Sequence, residues 1–248
     1  MKMVRTLGRE TWNSVKITLV LLVLCVVIYP LLVWGIGQVA FNKQANGSLI
    51  KDSKGNVVGS ELIGQQFSSS VYFHGRPSAI GYNAAGSGAS NLGPTNPQLI
   101  VGNGSVVMVT PGATPPTGGT PVAGTPNAYY VPGSYAGVKN YADQFRADNN
   151  LGSEVKLPAD ILTASGSGLD PDISVDAAML QMNRIVDARK ALGGNNATLT
   201  ADKVKDMLNK DMTGRDLGIL GEQRINVLKL NLDLDNSYGA PPPIKPAG

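Results

Sequence analysis

Residues 17–41 read ITLVLLVLCVVIYPLLVWGIGQVAF, a run of 25 residues without a charged side chain. The hydrocarbon core of a bilayer is about 30 Å thick, and a helix of ~20 residues crosses it. Backbone polar groups inside lipid must be satisfied within their own segment, so this run is expected to be helical, with a kink at Pro30. No later stretch is apolar enough to span, so we predict a single transmembrane helix over 17–41.

The residues that precede this run predict its orientation. They include one acidic residue, Glu10, and four basic residues, Lys2, Arg5, Arg9 and Lys16. Positively charged residues are retained on the cytoplasmic side of membrane helices. Residues 1–16 are therefore predicted to be cytoplasmic, and the chain after Phe41 is predicted to lie on the extracytoplasmic side of the cell (inner or plasma) membrane. A cleaved signal peptide is the alternative, but its apolar region is typically about 7–15 residues long, so an uncleaved anchor is favoured.

Composition excludes several classes of function. Removing those five residues from the totals of 21 basic and 18 acidic side chains leaves 17 of each, so the body of the chain has no basic surface for nucleic acid. The single cysteine, Cys25, lies inside the predicted span and excludes an intrachain disulfide or a Cys-rich zinc site. The single histidine, His74, argues against a metal site built from several histidines.

The chain beyond the span has the pattern of an α+β domain over residues 42–235. Helices are predicted over 138–149, over 174–192 with Ser174 as the N-cap, and from the N-cap Thr200 onward. Leucines that alternate with polar residues over 228–234 predict a half-buried strand. The other predicted strands are short, at 47–50, 57–58, 62–63 and 71–73, with a turn over 52–56; residues 74–97 are expected to form a long loop and the Pro-rich tail 236–248 to be disordered.

The middle of the chain is unusual because no charged residue occurs from Pro77 to Val138. Within it, residues 111–127 consist almost wholly of Pro, Gly, Thr and Ala, a composition that cannot bury enough apolar surface to pack. The flanking stretches 106–110 and 128–131 would pair as a β-hairpin with this loop at its tip, and an exposed, disordered insertion is the equally weighted alternative.

Catalytic and metal-binding motifs are scarce. The sequence has no Walker A loop, no dinucleotide fingerprint and no HExxH motif. A nucleophile–base pair of Ser78 and His74 is conceivable, but both residues lie in a Gly- and Pro-rich loop, and a structural role for His74 is favoured. Asp170, Asp172 and Asp176 lack the ligand register of a calcium loop, and Asp172 and Asp176 are expected instead to complement a helix N-terminus.

Several separate segments resemble one family. They are ANGSLI (45–50), LIGQQF (62–67), YFHGRPSA (72–79), YN (82–83), SGASNLGPTNP (87–97), TASGSGLDP (163–171) and VLKLNLDLD (227–235). In this order, and behind an N-terminal anchor, they are similar to the C subunit of Kdp-type potassium-transporting ATPases, the KdpC family, over residues 15–235. The uncharged stretch 100–138 departs from the family pattern and looks like an insertion.

The resemblance implies a non-catalytic accessory subunit of an ATP-driven potassium uptake complex. Its implied partners are a channel-like potassium-binding subunit, a P-type ATPase subunit and membrane lipid. ATP is a possible cofactor shared with the catalytic subunit, and assembly of the complex is ranked above nucleotide binding. An anchored envelope or adhesion protein is the alternative. The residues that the resemblance marks as structural or partner-facing are His74, Gly75, Arg76, Pro77, Asn83, Ser90, Asn91, Asn96 and Pro97.

Overall fold

A computed structural model describes residues 2–52, 54–102, 104–108, 120–121, 128–131 and 135–241. The chain divides into two compact units, Met1–Leu49 and Ile50–Gly248.

The first unit is built on the predicted membrane helix. Its elements are α1 (Lys2–Leu22), a π-helical segment (Val23–Ile28), α2 (Tyr29–Ala40) and the short α3 (Asn42–Ala45). Pro30 cannot donate a hydrogen bond to the carbonyl of Val26, and it is at this point that the helix widens into the π-helical segment, where the Tyr29 N–H bonds to the Leu24 carbonyl instead. In the described part of the chain, one helix, Thr6–Ala40, is long and apolar enough to cross a membrane.

The strands of the second unit are short. β6 (Asp172–Ser174), β8 (Arg224–Asn226) and β7 (Met212–Thr213) form an antiparallel sheet in that order, with Ile173 opposite Ile225. A second antiparallel sheet has the order β3 (Ser105–Met108), β5 (Ala128–Val131) and β4 (Thr120–Pro121). β1 (Leu49–Lys51) pairs with β2 (Val57–Ser60) across the predicted turn, where the Asp52 carboxylate accepts hydrogen bonds from the Lys54 and Asn56 amides.

The helices of the second unit enclose its core. They are α4 (Gln98–Val101), α5 (Val138–Asp148), α6 (Val175–Lys190), α7 (Ala201–Asp211) and α8 (Val227–Tyr238), with 3₁₀ turns at Ala159–Ile161 and Gly194–Thr198. The predictions for α5, α6 and α7 are confirmed, and Ser174 and Thr200 are N-caps whose side chains accept from the Ala177 and Lys203 amides. The core consists mainly of apolar side chains from α5 to α8 and from the β6–β8 pair, including Ile173, Ile185, Leu208, Ile225, Leu230 and Leu234, and Phe73 joins it from outside these elements. The structure is therefore mixed helix and sheet, as the α+β prediction requires.

The alternating leucines do not form a strand. Residues 227–238 are helix α8, which begins at the N-cap Asn226, whose side chain accepts from the Lys229 amide. The prediction of a strand over 228–234 is therefore wrong. The buried residues Val227, Leu228, Leu230, Asn231 and Leu234 form a wide helical stripe, and the period of two arises because Leu228 lies within this stripe and the half-buried Leu232 at its edge.

Two other predicted strands are also wrong. Residues 62–63 contain only an isolated bridge between Ile63 and Ser60, and residues 71–73 pair with no strand in the described chain. The predicted hairpin exists as the β3–β5 pair, to which β4 adds a strand that the Pro- and Gly-rich composition did not indicate. The rest of the predicted loop 111–127, together with Val109 and Thr110 of the predicted hairpin and residues 242–248 of the tail, lies outside the described residues.

Candidate functional site

The segment Ser70–His74, at the start of the strongest sequence signature, is held by side chains of two helices. Every one of its five successive carbonyl oxygens accepts a hydrogen bond from a helical side chain. Arg184 of α6 donates to Ser70 and Tyr72, at 2.6 and 3.0 Å, and Arg189 donates to Val71 at 2.9 Å. The remaining donors are Asn231 of α8 to Phe73, at 3.0 Å, and Gln181 of α6 to His74, at 3.1 Å.

The two amide side chains also accept hydrogen bonds from the same segment. Asn231 Oδ1 accepts from the Phe73 N–H at 2.8 Å, and Gln181 Oε1 accepts from the His74 N–H at 2.8 Å. Each side-chain amide thus bonds to both the N–H and the carbonyl of one residue, as the backbone of a neighbouring strand would. This explains how Val71 and Phe73 are buried without joining a sheet, since side chains satisfy the backbone polar groups of this segment.

Arg189 is the most buried charged group of this arrangement. Its side chain has no exposed surface and its Nη2 lies 2.6 Å from Asp235 Oδ1 of α8. Asp235 also accepts from the Tyr72 hydroxyl at 2.8 Å, and the Arg189 guanidinium lies 5.2 Å from the centre of the Tyr72 ring. Burial, followed by the hydrogen bond to Asp235, raises the pKa of Tyr72 well above its ordinary value, so its hydroxyl remains a donor.

The two signature segments predicted from sequence, 72–79 and 163–171, lie against each other. Arg76 Nη1 contacts Asp170 Oδ2 at 2.7 Å, and the Ser78 hydroxyl donates to the Gly168 carbonyl at 2.7 Å. Gly168 has a φ of +69°, and a Cβ there would lie 2.7 Å from the Gly88 carbonyl oxygen, so the close approach requires glycine. The Tyr82 hydroxyl donates to the Arg76 carbonyl at 2.7 Å, and its burial, followed by the nearby Asp170 charge, raises the pKa of Tyr82 to about 12.

A cavity of about 520 Å³ lies beside this junction, and we call it the signature cavity. His74 lies in its wall, where burial, followed by the charge of Arg184, lowers the pKa of the imidazole, so His74 is neutral near pH 7. Burial also lowers the pKa of Arg184 to about 10. The lining includes His74, Gly75, Arg76, Pro77, Tyr82, Tyr141, Phe145, Asp148 and Arg184.

The cavity has few free polar groups with which to do chemistry. The guanidinium of Arg184 also donates to Asn149 and Gln181, so each of its nitrogens is engaged. Arg76 is paired with Asp170, and its buried Nε makes no hydrogen bond within the described residues. His74 Nε2 lies 3.0 Å from the Ser69 carbonyl while Ser78 bonds to Gly168, so this histidine and serine are not arranged as a base and a nucleophile.

The remaining residues marked by the resemblance lie along the loop after the cavity. Asn83 Oδ1 accepts from the Ala85 amide and Asn96 Oδ1 from the Gln98 amide, so both side chains stabilise local turns. Asn91 is exposed with a φ of +54°, and Ser90 is half-buried. Pro97 is the N-cap residue of α4.

Of the three aspartates discussed above, only Asp176 lies in the first turn of α6, as expected. Asp172 is instead a strand residue whose Oδ2 lies 3.2 Å from Arg224 Nε. Asp170 is engaged with Arg76.

Sequence reasoning missed the residues that anchor this site: Gln181, Arg184, Arg189 and Asn231. A signal was present, because Gln181 and Asn231 are amides within helical stripes that are mostly apolar. A fully buried amide needs partners, and a segment such as 70–74 without strand neighbours supplies them.

Comparison with known proteins identifies a consistent set of relatives. The family model described as KdpC, K+-transporting ATPase, c chain, matches residues 11–104 and 119–236. A potassium-transporting ATPase KdpC subunit of Geobacter sulfurreducens is 39% identical over 230 residues, covering 92% of this chain and 97% of its own. Subunits of the same description from Mycobacterium tuberculosis (strain ATCC 25618 / H37Rv) and Gloeobacter violaceus are 37% and 38% identical, each covering 92% of this chain and 98% and 96% of their own.

Proposed function

The chain belongs to the KdpC family, the accessory subunit of the K+-transporting ATPase, and from this premise we propose that it holds the potassium uptake complex together without itself performing chemistry. Its proposed partners are the channel-like potassium-binding subunit and the P-type subunit that hydrolyses ATP. The helix Thr6–Ala40 would anchor it beside the membrane helices of these subunits.

The observation that carries the proposal is the fixation of residues 70–74. Five successive carbonyls are tied to α6 and α8, and the following residues Arg76 and Ser78 are tied to Asp170 and Gly168. A surface fixed in advance loses little conformational entropy when a partner binds. The same hydrogen bonds occupy the groups that catalysis would need, which favours a binding role over a catalytic one.

The proposed orientation places the second unit outside the cell membrane. It is supported by the basic residues Lys2, Arg5, Arg9 and Lys16, which precede the apolar helix. In that orientation the unit would contact the extracytoplasmic face of the channel-like subunit.

Contact with ATP remains a prediction of lower rank. The nitrogens of Arg184 are engaged and Arg76 is paired with Asp170, so the signature cavity offers few donors to a triphosphate. The proposed orientation also puts the cavity on the side of the membrane where ATP is scarce. Potassium-stimulated hydrolysis by the complex, measured over a range of ATP concentrations with and without this chain, tests the point.

An affinity purification tests the assembly role. The full chain, carrying a C-terminal tag, is expressed with the other subunits and purified in a mild detergent. We expect the P-type subunit and the polytopic potassium-binding subunit to co-purify, and the chain purified alone to hydrolyse no ATP. Recovery of the chain alone, from membranes in which the other subunits are intact, would contradict the proposal.

A further inference from the structure

The loop between β7 and β8, residues 214–223, carries the most exposed large apolar side chains of the second unit's described residues. Leu217 is 89% exposed and Ile219 is 76% exposed, and Leu220 beside them is 57% exposed. We call these three residues the apolar tip. Single exposed apolar residues are common on protein surfaces, but three within four positions concentrate apolar surface on one loop, as interaction sites do.

The apolar tip is held in one shape by backbone hydrogen bonds. The Asp216 N–H donates to the Leu220 carbonyl at 2.8 Å, and the Leu220 N–H donates to the Asp216 carbonyl at 2.9 Å. Between them Leu217 adopts a φ of +55°, a conformation that leucine rarely adopts and that Asn or Gly favours. Neither burial nor backbone preference therefore explains a leucine at this position.

The charges around the tip neutralise one another. Arg215 Nη2 lies 2.9 Å from Glu222 Oε2, and Arg224 lies 3.2 Å from Asp172 and 3.8 Å from Asp216. The stretch between these pairs, residues 217–221, reads LGILG and contains no polar side chain. The loop thus presents an uncharged apolar tip flanked by paired charges, and an apolar centre with a polar rim is the composition of a protein interface.

We propose that the apolar tip inserts into an uncharged, apolar pocket on another protein subunit of the K+-transporting ATPase. This inference deepens the proposed function, on which it rests, because it names one surface through which the chain would hold its partners. The self-neutralised rim fits a protein pocket without strong charge, and the fixed backbone reduces the entropy lost on binding.

The same observations argue against a membrane surface as the partner of the apolar tip. Segments that lie in the membrane interface combine apolar residues with aromatic residues and with cations that face lipid headgroups. Residues 214–223 contain no aromatic residue, and the flanking Arg215 and Arg224 are each paired with a carboxylate. Surfaces of other subunits are within the apolar tip's reach under the proposed function, because the chain belongs to a family of subunits of a larger complex.

Photocrosslinking in the intact complex tests the proposal. Benzoylphenylalanine replaces Leu217 in the full chain, and in a matched control it replaces Leu62, which is 64% exposed elsewhere in the second unit. We expect the probe at position 217, and not at position 62, to form an adduct with another subunit of the complex. Adducts with lipid or with a second copy of this chain, or none at all, would overturn the proposal.

A pair of double variants measures the strength of the contact. L217N with I219T removes the apolar surface, and L62N with V57T makes the same kinds of change at two other exposed positions. We expect the first variant to bind the remaining subunits about tenfold more weakly or worse, which is the scale of burying one or two aliphatic side chains. Asn tolerates the backbone of position 217, so the thermal midpoint should not fall.

The outcomes separate the two proposals. If the unmodified chain fails to co-purify with the other subunits, the assembly role fails. If it co-purifies, but the L217N/I219T variant does so equally well and position 217 forms no protein adduct, only the role of the apolar tip fails. If L217N/I219T lowers both the thermal midpoint and the amount of the other subunits that co-purify, the crosslink decides: an adduct with another subunit at position 217 supports the apolar tip as a contact, and its absence contradicts it.

Discussion

Asn231 is a buried amide that takes the place of a neighbouring strand for Phe73. It is 2% exposed, and it bonds to both backbone groups of Phe73. Leucine is similar in size but cannot bond to either group, so Asn231→Leu would leave a buried N–H and a buried carbonyl unpaired. We expect the free energy of unfolding of the full chain to fall by about 2–4 kcal/mol in chemical denaturation.

The matched control for this prediction is Asn236→Leu, the same change on the exposed face of the same helix. Its effect should stay within about 0.5 kcal/mol. Equal stability of the two variants would show that the Asn231 bonds do not hold residues 70–74.

His74, the only histidine of the chain, gives a prediction for pH dependence. Burial and Arg184 lower its pKa in the folded protein, so the unfolded chain binds a proton first as the pH falls below about 6.5. Stability should therefore be fully retained above that pH and decrease as the pH falls through the pKa of the unfolded chain. His74→Gln should flatten the dependence of the unfolding free energy on pH between about 7 and 5; an unchanged slope would contradict the assigned shift.

At the scale of elements, the N-caps of α6 and α7 allow a direct comparison. Ser174 Oγ accepts from the Ala177 amide at 3.1 Å and also lies 3.1 Å from Asp160 Oδ1, whereas Thr200 Oγ1 accepts from the Lys203 amide at 3.4 Å. Ser174→Ala should therefore destabilise the protein more than Thr200→Ala, by about 1–2 kcal/mol against about 0.5–1 kcal/mol. Thermal unfolding of both variants checks the order, and the reverse order would rule out a contribution from Asp160.

The elements also show where sequence reasoning succeeded and where it failed. α5, α6 and α7 were predicted because their apolar residues follow a helical period and because Ser174 and Thr200 mark two of the starts. The sequence predicts a strand at α8 because its leucines alternate, a pattern that two turns of helix can also produce when the buried stripe is wide. The sequence predicts a strand at residues 71–73 because apolar residues that become buried look alike in sequence, whether a neighbouring strand or side chains satisfy their backbone polar groups.

At the scale of the whole molecule, Arg189 joins segments that are far apart in the chain. From α6 it reaches the Val71 carbonyl, Asn196, the Gly239 carbonyl and Asp235 of α8. Arg189→Met would leave the Asp235 carboxylate without its cation and three carbonyl or amide oxygens without this donor. We expect a loss of about 3–5 kcal/mol of stability, measured by chemical denaturation.

The neighbouring Lys190→Met, at an exposed position of the same helix, is the control and should change stability by less than about 0.5 kcal/mol. Adding Asp235→Leu to Arg189→Met should restore part of the loss, because the uncompensated charge is then removed. Strictly additive losses would show that the pair does not act as a unit.

The order in which the chain is made gives the anchoring of residues 70–74 a consequence for biogenesis. Phe73 bonds to a residue 158 positions later, and His74 to one 107 positions later. The ribosome releases Ser70–His74 long before α6 and α8, so this segment must wait for both helices before it can form all of these hydrogen bonds. A nascent or truncated chain that lacks α8 therefore leaves the backbone of Phe73 without its Asn231 partner, and only a chain translated through α8 can offer the completed surface to the other subunits.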